Sequence, residues 1–284
     1  MVDLEQGNNV VLLFGIVTYK EKYFECESFI SLLRSYRESN DRKPLNIVVI
    51  DNTDSDGWHV DHDQILENIN ILYYNLNNPG ISVAYNRINF VALENGYKWV
   101  VLLDQDTELP SKTYEIYKSK AIENNNLYPI KIPVVYSSNR ILSPSLYRYY
   151  RSFSLQTVPN SILKTENHSW INSGMMVSTE FFNKVGGYNE KLKLDFCDHD
   201  FVEKTKNFCT EVEILDLHLK QNFSADLTDK NQSITRFKIF SKDIREFYRN
   251  RKLVPLFFLV DLPHLLRLSL KYKTFDFLHL RLKK

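Results

Sequence analysis

The sequence predicts an α/β fold whose central sheet is mostly parallel. Apolar runs at residues 10–17, 45–50 and 99–103 have the continuous aliphatic composition of strands that are buried on both faces. Segments with helical spacing of apolar residues lie between these runs, and strands that alternate with helices are typical of βαβ units. A chain of 284 residues is long enough for one such domain and an appendage.

The predicted elements follow one another in a regular order. Ser111 and Ser178 are candidate helix N-caps, and Gly186 starts the pair of glycines that ends a short helix. Residues 137–168 show no periodicity, which predicts a long functional loop. The other predictions are helices at residues 21–36, 81–95 (closed by Gly96), 111–124 and 234–270, and strands at residues 71–74, 130–135 and 211–217.

Charge is balanced over the whole chain but concentrated at its C-terminus. The formal net charge is +1, which gives no nucleic-acid signature, whereas residues 245–284 hold ten basic against three acidic residues. A basic tail rich in leucine and phenylalanine predicts contact with an anionic membrane surface. The alternative is that the tail packs on the rest of the chain or in a homodimer. The apolar run at residues 253–260 is too short to cross a bilayer.

Two features predict a cytoplasmic protein. Three cysteines, Cys26, Cys197 and Cys209, are odd in number and lack the spacing of a disulfide framework or a zinc site. Residues 1–9 are polar and acidic, unlike a signal peptide. Because the tail is expected to bind lipid, we expect the protein on the inner face of the cell membrane.

The strongest chemical signal is a pair of carboxylates at the end of a buried strand, Asp104-Gln105-Asp106. Open α/β sheets bind ligands at the carboxyl ends of their strands, and Mg²⁺ and Mn²⁺ take carboxylate oxygens. The pattern therefore predicts a divalent metal that neutralises the phosphates of a substrate. The alternative is a solvated turn in which Asp106 caps a helix near Pro110.

Further polar residues stand at or shortly after predicted strand ends: Thr18, Asp51 and the acidic run of Asp195, Asp198 and Asp200. Clustered carboxylates raise one another's proton affinity, which suits a general base. Each also has a structural interpretation, because Asp51 belongs to a good turn sequence and acids favour the first turn of a helix.

These motifs, with the segment that begins at Pro79-Gly80, resemble the family-2 glycosyltransferases of GT-A fold, in particular the rhamnosyltransferase-like branch of bacterial polysaccharide synthesis. The resemblance covers roughly residues 10–250. It implies a Rossmann-like sheet flanked by helices. Residues 1–230 would form the nucleotide-sugar-binding and catalytic domain, and residues 231–284 a basic, amphipathic helical extension.

The resemblance implies a role for each motif. Asp198 matches the catalytic base, and Asp106 and His218 match the ligands of Mn²⁺ or Mg²⁺. On its own, a lone histidine is more often structural. The positions that match donor-binding residues are Thr18, Asp51, Asn78, Gly80, Asn86, Asp104, Gln105, Asn172 and Gly174. Further candidates are Asp195, Asp200 and the pair Arg249-Asn250.

The sequence departs from this branch at two places. Asp200-Phe201 stands where the branch often has Glu-Trp, and Lys204 or Lys206 stands where it has an arginine. These departures weaken the assignment of the sugar donor more than the assignment of Asp198 as catalytic base.

The implied activity is an inverting sugar transfer. The donor would be dTDP-L-rhamnose or else a UDP-hexose, and the acceptor a hydroxyl of a glycan or lipid-linked glycan for a cell-surface polysaccharide. Two alternatives stay open. One is a phosphatase of the haloacid dehalogenase type with Asp104 as nucleophile, although this chain has Glu108 where that motif has threonine or valine. The other is a non-catalytic scaffold associated with the membrane.

Overall fold

The computed structural model describes residues 11–54, 67–123, 127–158, 160–221, 229–249 and 251–282. The predicted polar N-terminus at residues 1–9 and Asn250 lie outside this part. The strands are β1 (Leu12–Thr18), β2 (Leu45–Asp51), β3 (Ile69–Asn75), β4 (Trp99–Asp104), β5 (Thr107–Glu108), β6 (Ile130–Ser137), β7 (Arg140–Ser143), β8 (Ser145–Arg148), β9 (Arg151–Ser154), β10 (Ile162–Lys164), β11 (His168–Ser169), β12 (Met176–Ser178) and β13 (Glu211–Gln221). The helices are α1 (Glu27–Glu38), α2 (Ile81–Glu94), α3 (Thr113–Ile122), α4 (Thr179–Val185), α5 (Cys197–Thr205), α6 (Lys230–Tyr248), α7 (Leu253–Leu256), α8 (Leu262–Tyr272) and α9 (Asp276–Leu282), with a π-helical turn at Phe257–Asp261.

A ten-stranded sheet forms the centre, in the order β10-β13-β6-β12-β4-β1-β2-β3, with β5 on β13 and β7 on β6. β1 pairs in parallel with β2 and β4, and β2 pairs in parallel with β3. β12 runs antiparallel to β4 and β6. The predicted α/β class is therefore confirmed. The parallel registers bring Thr18 beside Asp51 and Val17 beside Asp104, so three strand ends meet at one edge.

Helices cover both faces of this sheet. Val48 and Ile50 point into one core with residues of α2, α4 and α5, whereas Ile47 and Val49 point into a second core with residues of α1 and α3. Because both faces are buried, the strand sequences are continuously aliphatic rather than alternating.

Helix α1 begins later than the sequence predicts. Residues 22–26 form tight turns, in which the Glu25 amide donates to the Lys22 carbonyl at 2.9 Å. The helix starts where Ser28 reaches the loop after β4, since the Ser28 amide donates to the Gln105 carbonyl at 3.2 Å. Apolar periodicity cannot reveal this distant partner.

Two other predicted elements differ from the structure. α3 starts at Thr113, and Lys112 in a left-handed conformation occupies the cap position predicted for Ser111. The predicted loop at residues 137–168 contains β7 to β11, and β8, β9 and β11 form a small antiparallel sheet. The predicted caps of α4 are confirmed, because the Ser178 hydroxyl accepts from a first-turn amide and Gly186 is left-handed.

The C-terminal helices form a small core with α6, made by Phe237, Phe240, Ile244, Leu265 and Phe277. Asp261, in the π-helical turn, is 1% exposed. Its carboxylate accepts from Arg281 of α9, with Nη2 at 2.6 Å and Nε at 2.9 Å. This ion pair joins α9 to the middle of the preceding helix.

Residues Leu253–Tyr272 form one continuous helix of 20 residues, in which a stretch of 18 residues has a mean hydropathy of 1.6. Within the described residues it is the one helix long and apolar enough, by length and composition, to cross a membrane. The apolar run at residues 253–260, too short to cross a bilayer by itself, is therefore part of a longer helix. That helix includes Asp261, whose carboxylate pairs with Arg281.

We expect Arg281→Gln to lower the free energy of unfolding by about 3 kcal/mol, since it leaves a buried carboxylate without its cation. Urea unfolding at pH 7 measures this change. Adding Asp261→Asn should restore part of the loss, and Lys273→Gln, an exposed cation nearby, is the matched control. A loss below about 1 kcal/mol would show that the pair contributes little.

Candidate active site

The acidic pair lies at the carboxyl edge of the sheet. Asp104 ends β4, and Asp106 lies in the turn that follows. The Tyr85 hydroxyl of α2 donates to Asp104 Oδ1. Gln221 Nε2, at the end of β13, donates to Asp106 Oδ1 at 3.1 Å and lies 3.5 Å from Asp104 Oδ2. The site is therefore built by side chains from β4, α2 and β13.

Both carboxyls are harder to ionise than usual. Burial raises the pKa of Asp104 to about 6, and the charge of Asp106 adds to the rise, whereas hydrogen bonds from Tyr85 and Gln221 oppose it. Burial also raises the pKa of Asp106. The protein thus concentrates negative charge where its own donors only partly compensate, and a bound cation would favour ionisation of both groups.

The donor atoms at this site fit a divalent cation. Gln221 Oε1 is buried and has no hydrogen-bond partner. An amide oxygen and two carboxylates are ligands that Mg²⁺ accepts, with further positions left for water and phosphate oxygens. In the described part of the chain, no group of three His, Cys, Asp or Glu residues could hold a metal by itself.

The structure does not bring His218 to the acidic pair. β13 continues to Gln221, so His218 lies within the strand rather than after it. Its side chain is exposed and its ring lies 5.6 Å from that of Tyr136. Because side chains alternate along a strand, His218 and Gln221 point to opposite faces. Gln221 is the β13 side chain that contacts Asp104 and Asp106.

Asp198 lies in the first turn of α5 and is held by a chain of uncharged groups. Asn172 donates from Nδ2 to Asp198 Oδ1, and the Tyr188 hydroxyl donates to Asn172 Oδ1. The Tyr188 ring packs 5.2 Å from that of Tyr85, which bonds Asp104. Tyr188 and Asn172 therefore fix the orientation of Asp198, and the two packed tyrosine rings link this chain of contacts to Asp104.

Burial raises the pKa of Asp198 to about 7, and the charge of Asp104 contributes, whereas the hydrogen bond from Asn172 lowers it. A carboxyl that titrates near neutral pH is ionised often enough to accept a proton and basic enough to hold it. Among the candidate acids, this is the property that suits a general base.

The two neighbouring acids are tied to cations. Arg236 of α6 forms a bidentate pair with Asp195, with Nη2 at 2.7 Å from Oδ1. Arg251 donates to Asp200 Oδ1 at 2.9 Å. Asp195 and Asp200 thus connect this segment to the C-terminal helices, and Asp198 is the member of the run that an uncharged amide holds.

Arg249 lies away from these acids. Its side chain is 63% exposed and pairs with Glu246 at 3.3 Å. Arg251, two residues later, is the C-terminal arginine that reaches α5, and its guanidinium stacks 3.5 Å above the Phe247 ring. Arg251 is not among the candidates named from the sequence, where it is one of several neighbouring basic residues and nothing distinguishes it from Arg249.

Thr18 and Asp51 lie side by side at the ends of β1 and β2. Asp51 accepts from the Thr53 amide at 2.9 Å and from the Tyr73 hydroxyl at 2.6 Å, so it shapes the turn. Thr18 Oγ1 and Asn52 Oδ1 are buried without hydrogen-bond partners. These two atoms are available to a ligand at this edge.

The segment before α2 supports the cleft. Gly80 has φ +118°, and a Cβ there would lie 2.8 Å from the Lys193 carbonyl oxygen. Asn86 Oδ1 accepts from the Tyr188 amide at 2.8 Å, so α2 orients the segment that holds Asp198. Asn78 is left-handed at the preceding turn.

Gln105 and Gly174 have distinct local roles. Gln105 Oε1 accepts from the Tyr19 amide at 2.6 Å, which joins the acidic turn to the end of β1. Gly174 has φ +83°, and a Cβ there would lie 2.5 Å from side-chain atoms of Leu219 and Pro133. The structure therefore places Gly174 in the packing behind the site.

Comparison with known proteins gives two distant relatives. No protein-family profile matches the chain. The chain is 30% identical over 174 residues to a protein argonaute of Marinitoga hydrogenitolerans, a match that covers 54% of this chain and about a quarter, 26%, of that protein. It is 26% identical over 273 residues to the dTDP-rhamnosyl transferase RfbF of Shigella flexneri, which covers 93% of this chain and 85% of that protein.

Solved structures settle the fold. GalNAc-T7, determined with UDP, GalNAc and Mn²⁺, has a TM-score of 0.51 at 13% identity and covers 76% of this chain and 44% of that chain. S. aureus TarS 1-349 in complex with UDP has a TM-score of 0.50 at 12% identity and covers 85% of this chain and 67% of that chain. Both are GT-A glycosyltransferases. The chain has the GT-A fold. The predicted fold class is confirmed, and at these identities the likeness establishes the fold alone.

We expect Asp198→Asn to stabilise the metal-free protein at pH 8 by about 2 kcal/mol, because each pKa unit corresponds to 1.36 kcal/mol and water in the cleft reduces the full value. The raised pKa means that the contribution of Asp198 to stability is fully present below its unfolded-state pKa of about 4 and is lost as the pH rises through about 7. Urea unfolding with EDTA at pH 4.5 and pH 8 measures the difference. Equal effects at both pH values would contradict a raised pKa.

Proposed function

We propose that this chain is a metal-dependent, inverting glycosyltransferase that moves a sugar from a nucleoside diphosphate to an acceptor hydroxyl. The observation that carries the proposal is that Asp198, held by the uncharged Asn172 amide, lies close enough to Asp104 for that charge to raise its pKa, while Asp104 and Asp106 share the Gln221 amide. A base on one side and a charge-neutralising site on the other are what an in-line displacement requires.

In the proposed reaction, Asp198 takes the proton of the acceptor hydroxyl as its oxygen bonds to the anomeric carbon. The bond from that carbon to the diphosphate breaks, and the diphosphate leaves with the electron pair. Mn²⁺ or Mg²⁺ would be held by Asp106 and Asp104, with Gln221 Oε1 as a third ligand if its amide turns from its present contact with the two carboxylates. The cation would neutralise the charge that develops on the diphosphate. Asn172 keeps Asp198 aimed at the acceptor.

The donor is proposed from chemistry and likeness together. Thr18 Oγ1 and Asn52 Oδ1 are buried without hydrogen-bond partners at the edge where a nucleoside would lie, where the hydroxyl can donate or accept and the amide oxygen can accept. The match to RfbF along most of both chains supports dTDP-L-rhamnose, and the UDP in the TarS structure keeps a UDP-hexose as second choice. The proposed acceptor is a glycan or lipid-linked glycan of a cell-surface polysaccharide, handled in the cytoplasm.

No observation favours the other functions. The Asp104 carboxylate, which a phosphatase would use as nucleophile, accepts from Tyr85 and lies beside Gln221. A scaffold would have no physical reason to retain buried acids whose pKa values are raised. The argonaute match covers too little of that protein to carry its activity over.

We expect Asp198→Asn to reduce turnover by about 10² or more while the affinity for the donor stays near the wild-type value, because only proton transfer is lost. Steady-state assays with dTDP-rhamnose and UDP-sugars, and donor titrations by calorimetry, measure the two effects. Asp195→Asn is the matched control in the same segment. Retained turnover in Asp198→Asn, with loss in Asp195→Asn, would transfer the role to Asp195.

We expect Asp106→Ala to abolish the part of donor affinity that depends on Mn²⁺, since the diphosphate then lacks a bridging cation. Thermal shifts with dTDP, UDP and their sugars, with and without Mn²⁺, report binding because a ligand stabilises the folded state by mass action. Gln221→Ala should weaken the metal-dependent shift, and His218→Ala should leave it unchanged. If His218→Ala lost the Mn²⁺-dependent shift and Gln221→Ala kept it, His218 would be the metal ligand that the sequence predicts.

A further inference from the structure

We propose that the helix Leu253–Tyr272 lies in the plane of an anionic membrane surface and docks the protein there. The helix presents an apolar stripe with a residue at every fourth position: Val254, Phe258, Leu262, Leu266 and Leu270. Four of the five are exposed by at least half, from 50% for Leu266 to 75% for Leu270. At a rise of 1.5 Å per residue the stripe is about 24 Å long.

Exposed positive charge accompanies the apolar stripe. Arg267 and Lys271 each follow a stripe residue directly, so they form the adjacent row on the helix surface, and Lys252 and Lys273 flank its two ends. This combination of an apolar stripe with bordering cations is complementary to negatively charged lipid headgroups.

The acids of this segment do not oppose that contact. Asp261 is buried beneath Arg281, and Asp276 pairs with Lys230 at 2.8 Å. The outward surface of the helix therefore carries apolar and basic side chains, while its two neighbouring acids are each joined to a cation.

Packing on the other side favours a helix that lies on the membrane rather than across it. Leu256, Asp261 and Leu265 are buried against the protein, and Leu265 belongs to the core shared with α6 and α9. A spanning helix would have to leave this core and take Asp261 into lipid away from Arg281 of α9, which is strongly unfavourable.

A second copy of the chain fits this surface less well than lipid does. In a two-fold dimer the same patch meets itself. This patch carries Arg267 and Lys271, and the acids beside it are already joined to cations, so a dimer would bring like charges into one interface with no acid across from them. Anionic headgroups would instead attract these cations. The surface therefore fits anionic lipid better than it fits a second copy of the chain.

The test is flotation of the full-length protein with vesicles of phosphatidylcholine alone or with 30% phosphatidylglycerol (about this fraction suffices to make the surface anionic). We expect at least tenfold more protein bound to the anionic vesicles, with binding that falls as salt rises. The double variant Phe258→Glu/Leu266→Glu should lose binding. Phe90→Glu, which changes an exposed aromatic residue on α2, is the matched control.

A second variant, Arg267→Glu/Lys271→Glu, keeps the apolar stripe and should lose the preference for anionic vesicles. Circular dichroism and mass photometry accompany each measurement. Absence of binding to anionic vesicles at low salt, or equal binding to neutral ones, would overturn the proposal. A wild-type dimer that Phe258→Glu/Leu266→Glu converts to monomers, without vesicle binding, would assign the stripe to self-association instead. None of these results depends on sugar transfer.

Discussion

The accumulation of carboxylates in one cleft is the constraint around which the structure is organised. Asp104, Asp106 and Asp198 disfavour one another's ionisation, and the fold tolerates them because uncharged donors surround them. Tyr85, Gln221 and Asn172 each donate to one of these acids. The sheet supplies the common edge, and the helices on each side supply the donors. A cation and a diphosphate would complete a charge balance that the protein alone leaves incomplete.

The sequence predicted the fold class and the location of the acidic pair for a clear reason. Continuous aliphatic runs and the helical spacing between them are local properties, and a parallel sheet places the ends of its strands together. The position of Asp198 in the first turn of α5 is also a local feature, whereas its role as a base was inferred from the cluster of acids and from the resemblance. The first residue of α1 could not be predicted in this way, because it depends on a contact between Ser28 and the loop after β4, which is distant in sequence.

His218, the predicted metal ligand, shows more clearly why the sequence alone could not identify every residue of the site. His218 was assigned from the family resemblance, as a histidine after the last strand, but β13 runs three residues further and presents Gln221 to the acidic pair. The end of a strand depends on its partner, here β5, which pairs with residues 220 and 221. Tyr85 and Tyr188 escaped notice for a related reason, because the direction in which a hydroxyl points is decided by packing and not by composition.

Asp243 shows how closely the proposed base is linked to a helix that the sequence assigns to a separate extension. From the buried face of α6, its carboxylate accepts from the amides of Lys193, Leu194 and Asp195 at 2.8 to 3.0 Å. The backbone that leads into Asp198 is thus fixed by a residue some 50 positions later in the chain. Chimeras that exchange the C-terminal helices with those of another protein of GT-A fold would therefore need their junction after α6, so that Asp243 stays with the backbone that it fixes.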